Sequence, residues 1–133
     1  MIVRVALALI GIFNCANGIY MVVAPDVWYA AVPGVTASGP PNQHFIIDIG
    51  LIFLASGVGQ LTGARSGSWA GPLAVAGSLW PALHALFHAW GWIAHGLPTQ
   101  SAVMTAELLG VAAPALAGAV LAWLRNGQIG SAS

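Results

Sequence analysis

The chain has almost no charge. Of its 133 residues three are basic, all of them arginine, and three are acidic, Asp26, Asp48 and Glu107. Charged residues make up 5%, where a soluble domain devotes about a quarter of its residues to charge. That scarcity excludes an ordinary soluble globule. It also excludes a nucleic-acid binder, because neutralising phosphates takes clustered Lys and Arg. Cysteine is nearly missing too, and a lone Cys15 allows neither a disulfide framework nor a thiolate zinc site. It reads as a buried, inert thiol. What fills the sequence instead is apolar residues at 59%, with 17 Gly and six Trp. The solvent for such a chain is lipid, and its length suits one domain, 1–133.

A helix needs about 20 mostly apolar residues to cross the hydrocarbon. Four stretches reach that length, about 5–24, 44–64, 69–93 and 102–124. They predict an all-α integral membrane four-helix bundle. Arg4 and the apolar run after it resemble a secretory leader, but the run outlasts a signal core and reads as a retained first helix. The loop 25–43 is long, and Asp26-Val27-Trp28-Tyr29 is expected to open a short interfacial helix with its aromatic rings at headgroup depth. The tail from Asn126 reads as frayed. Pro81 and Pro114 lie inside spans, where each should kink its helix and free a carbonyl. Gly50, Gly57, Gly59, Gly71, Gly77, Gly110 and Gly118 are small enough to let helices approach closely.

Four spans put both termini and the second connection on one side. Arg4, Arg65 and Arg125 occupy those three places, so the positive-inside rule makes that side cytoplasmic. The expected location is the inner membrane of a bacterium, with loop 25–43 outside.

Polar side chains at lipid depth are costly and usually face the bundle interior. His44 and Asp48 are four residues apart and share a helical face. His84, His88 and His95 fall within an arc of about 40° on the third span. Asn14 and Asn17 stand on the outer half of the first span, and Glu107 lies about two turns into the fourth. The inner half has little beyond Gln60 and Thr62. This segregation predicts a polar pocket facing the outer side.

Imidazoles at i and i+4, joined by carboxylates from a facing helix, are a donor set that bundles use for metals. His44, Asp48, His84 and His88 are the candidate ligands, with Glu107, His95, Asn14 and Asn17 as further ligands or supporting residues. Nitrogen and carboxylate donors suit Zn, Cu(II) or Fe. Two other readings stand beside this one. The cluster can be polar glue between the helices of a small accessory subunit in a larger membrane complex, or of a homo-oligomer. Alternatively, His44 with His84 or His88 could hold haem b across the bundle, or the wall of Trp80, Trp90 and Trp92 could face a quinone. Trp90 and Trp92 also read as interface anchors.

Several segments resemble a known group: Gly18 to Pro25, Trp28-Tyr29, Pro33-Gly34, Asn42-x-His44-Phe45-x-x-Asp48-x-Gly50 and His84-Ala85-Leu86-Phe87-His88. Together they are similar to small four-span bacterial membrane proteins that are distantly DoxX-like. The resemblance implies a four-helix membrane bundle and a role linked to membrane oxidoreductase systems.

Overall fold

The computed structural model of the protein describes residues 1–130. Its elements are α1 (Ile2–Val23), α2 (Pro25–Ala31), a 3-10 turn (Val35–Ser38), α3 (Gln43–Gly63), α4 (Ala70–His95), α5 (Ser101–Thr105), a π-helical segment (Ala106–Ala112) and α6 (Ala113–Gly130). Four helices are long and apolar enough to cross a membrane, the last running unbroken from Ser101 to Gln128. The fold is an all-α bundle, and the described residues contain no strand.

Local chemistry sets the ends of these elements. The Asn42 side chain accepts from the Phe45 backbone N–H and starts α3. Pro25 occupies the first position of α2, where its missing N–H costs nothing. Asp26 does not cap that helix but accepts from Gln43 Nε2 at 2.6 Å, tying α2 to the start of α3. Gly96, at φ +86°, ends α4 in a conformation that a side chain would resist. The tail departs from expectation, since α6 is helical as far as Gly130. Asn126 is held there by close packing on Gly71, where an added Cβ would come within 2.5 Å of Asn126 Oδ1.

The helices run round the bundle in the order α1, α3, α4, α6, and glycine sets how closely they meet. On the α1–α3 seam a Cβ at Gly57 would stand 2.6 Å from the Gly11 carbonyl, and one at Gly18 equally near the Gly50 carbonyl. On the α3–α4 seam Gly59 meets Gly77, and Gly63 meets Ala74. Gly110, by contrast, has nothing near it. Cys15 is packed into the first seam, its thiol facing the Leu54 carbonyl.

Two polar systems hold the bundle together. At one end Arg4 Nε donates to the Ala64 carbonyl at 2.6 Å. Arg125 donates to the carbonyls of Gly63 and Arg65 at 3.2 and 2.7 Å. These arginines satisfy carbonyls that the end of α3 leaves unpaired. All three arginines therefore lie at the same end, beside the buried cluster of Leu7, Ala64, Ala74 and Ala122. Deeper in, Asn14 Nδ2 donates to Gln60 Oε1 at 2.8 Å, Gln60 Nε2 to Ser78 Oγ at 3.1 Å, and Ser78 Oγ to the Gly118 carbonyl at 3.2 Å. This chain of bonds crosses all four spanning helices, and Gln60 at its centre is fully buried.

Each interhelical bond in a membrane contributes about 0.6 kcal/mol on average and up to about 1.7. Gln60→Ala removes two of them and strands the Asn14 and Ser78 groups. It should lower unfolding stability in detergent by roughly 1–3 kcal/mol, more than Asn14→Ala, which removes one. A Gln60→Ala protein as stable as Thr62→Ala would show that the chain of bonds contributes nothing.

Candidate functional site

α4 carries a column of rings on one face, at spacings of four residues. Trp80 stacks on His84 with centroids 4.9 Å apart and planes within 11°. His84 meets His88 edge-on at 4.8 Å, and Phe53 of α3 packs its ring against both Trp80 and His84. One step further on, Trp92 Nε1 donates to Glu107 Oε2 at 2.5 Å. The other oxygen of Glu107 lies 3.4 Å from His88 Nδ1. His88 and Glu107 are each roughly four-fifths shielded, with side chains 23% and 21% exposed.

Glu107 reaches this position from a π-helical segment. At its end the Ala113 N–H bonds to the Leu108 carbonyl, five residues back rather than four. Pro114 explains the wider turn: it has no N–H to offer, and its ring would clash with the Gly110 carbonyl in α-helical register. Where the sequence predicts a kink, the chain absorbs proline by widening, a device that is rare and found mostly at functional sites. Pro81 is accommodated differently, inside the unbroken helix α4. Both prolines line one small cavity with Asn14, Phe53, His84 and Ala115. Its volume is about 10 Å³, around the least that holds a single water.

The other candidate residues lie elsewhere. His44 and Asp48 stand on the exposed side of the start of α3. His44 Nε2 and Asp48 Oδ2 pair with each other at 3.4 Å, with side chains 89% and 52% exposed. The partner of His44 is therefore Asp48 on its own helix and neither His84 nor His88. In the ring column His84 covers one face of Trp80. His95 is exposed at the end of α4. Asn17 accepts from Trp28 Nε1 at 3.0 Å and so holds α2 against α1. Asn14 shares the small cavity with His84, but its amide is committed to Gln60. Among the described residues, no three His, Cys, Asp or Glu side chains are grouped so as to hold a metal ion.

Sequence reasoning missed Trp92 as a partner of Glu107, although it continues the four-residue spacing of His84 and His88. It also passed over Gln60 as the centre of a buried network. Comparison with protein-family models, curated proteins and solved structures finds no match to this chain.

Pro114→Ala should let the π segment relax to α-helix and turn Glu107 by about 100°, one residue's rotation. The Trp92 indole N–H resonance should then shift in a nitrogen-proton NMR spectrum. An unmoved resonance would show that proline does not set the register. Trp92→Phe keeps the ring but leaves a half-buried carboxylate oxygen without its donor, and should cost about 1–3 kcal/mol in unfolding stability.

Proposed function

We propose that this chain is a multi-pass protein of the bacterial inner membrane that binds a first-row transition-metal ion at His88 and Glu107, in the outer half of the bundle. The observation that carries this reading is the 3.4 Å between His88 Nδ1 and Glu107 Oε1. Charge-assisted hydrogen bonds are shorter, about 2.7–2.9 Å. Two donors that each lie about 2.1 Å from a tetrahedral ion stand about 3.4 Å apart. His84 stands next along the same face, edge-on to His88, and water completes the set. The His44–Asp48 pair has the same spacing but stands exposed, where water competes for the ion.

Nitrogen and carboxylate donors suit Zn, Cu(II) or Fe. The resemblance to DoxX-like proteins favours Fe or Cu and a redox-linked role; zinc would instead point to hydrolysis or structure. The positive-inside rule orients the arginine end to the cytoplasm, so the site faces outward.

Protein purified in mild detergent without chelator is expected to take up one Co²⁺ or Zn²⁺ per chain in calorimetric titration. His88→Ala and Glu107→Gln should each weaken binding beyond the roughly 10–100-fold that a supporting residue costs, and His44→Ala should leave it unchanged. No stoichiometric uptake, or equal uptake by His88→Ala, would refute the metal reading.

A second reading, a small accessory subunit, draws on one specific feature. α5 and the π segment contain no buried residue, and Leu109 in the latter is 69% exposed. A partner helix laid there would cover both. Solubilisation from native membranes without crosslinker should then yield a stable heteromeric complex; recovery only as monomer or homo-oligomer counts against it.

A further inference from the structure

A wide groove opens at the arginine end, between the start of α1 and the end of α3. Arg4, Arg65 and Ser66 line it together with Val5, Ala8 and Leu61, and its volume is about 920 Å³. Its chemistry is divided, with guanidinium and hydroxyl groups on one part of the wall and aliphatic side chains on the other. Arg4 is anchored by Nε to the Ala64 carbonyl, which fixes the guanidinium at the rim while its terminal nitrogens stay available. The Arg65 side chain is exposed, and neither arginine has a carboxylate partner among the described residues. The acids lie elsewhere: Asp26 and Asp48 at the far end, and Glu107 with His88.

Two unpaired guanidinium groups over an aliphatic wall complement a phosphate that carries an acyl chain. Arginine grips phosphate through parallel N–H donors and is more weakly hydrated than lysine, which suits it to this task at a membrane surface. A zwitterionic headgroup offers one phosphate but adds a cation that the second arginine repels. We propose that this groove binds one anionic phospholipid, its headgroup phosphate held by Arg4 and Arg65 and its acyl chain lying along Val5, Ala8 and Leu61. The site is separate from the His88–Glu107 pair, and its occupancy does not depend on the metal.

The test is native mass spectrometry of the full chain, released from mixed micelles of phosphatidylglycerol and phosphatidylcholine. One phosphatidylglycerol per chain should persist in preference to phosphatidylcholine. Arg65→Gln is the cleanest variant because it breaks no bond within the fold, and it should lower the preference about fivefold, with Arg65→Lys in between. Arg4→Gln should act in the same direction, with helical content checked by circular dichroism. Equal retention of the two lipids would overturn the proposal, as would an Arg65→Gln protein with undiminished preference. Complete displacement of the lipid by millimolar inorganic phosphate would also overturn it, since that marks a site for a free anion.

Discussion

The chain of hydrogen bonds from Asn14 through Gln60 and Ser78 to the Gly118 carbonyl is the constraint from which the rest of the bundle follows. In lipid the hydrophobic effect does not drive helices together, so association rests on close packing and on polar groups that have nowhere else to bond. Gln60 supplies both kinds of contact, since its amide bonds to two helices and the glycines on either side of it let those helices approach. Once Gln60 faces the axis, the rotation of α3 is settled. Gly50, Phe53 and Gly57 then fall within about 80° of it, facing α1 and α4, whereas Asp48 and His44 are turned away by about 120° and 160°. Their exposure is a consequence of that rotation. On α4 the same bond holds Ser78 inward, and His88 and Trp92 stay within about 80° of it.

The π segment does for the fourth span what Gln60 does for the third. Proline at 114 cannot complete an α-helical turn, so the register slips by one residue and everything before it is rotated. Glu107 is thereby brought to His88 and Trp92. A carboxylate at this depth is tolerated only with partners, and proline, through the register, provides them. Replacing it would change the site without altering any of its polar side chains.

Much of this was legible beforehand. Four apolar runs and the shared face of His84 and His88 follow from composition and a period of 3.6. What the pattern could not supply was rotation about each helix axis. In a soluble helix the apolar stripe marks the inner face, but here lipid and interior are both apolar and the usual contrast vanishes. The informative contrast is between small and large residues: Gly50, Gly57 and Gln60 share a face that His44 and Asp48 do not. The π register was illegible for a different reason. Proline announces a disturbance at 114 but not whether the helix bends or widens, which depends on neighbours distant in sequence.

Charge scarcity makes the two ends of the bundle different materials. At the arginine end Leu7, Ala74 and Ala122 are almost wholly buried, and the guanidinium groups of Arg4 and Arg125 tie α1 and α6 to the carbonyls at the end of α3. Past Gln60 the fourth span loosens, and neither α5 nor the π segment buries a residue. Local opening is cheapest where buried contacts are fewest, so it costs least at the α5 and π-segment end of this span, where no residue is buried. Gln60 stands at the boundary between the two ends, and its bonds to Asn14 and Ser78 set the depth at which tight packing gives way.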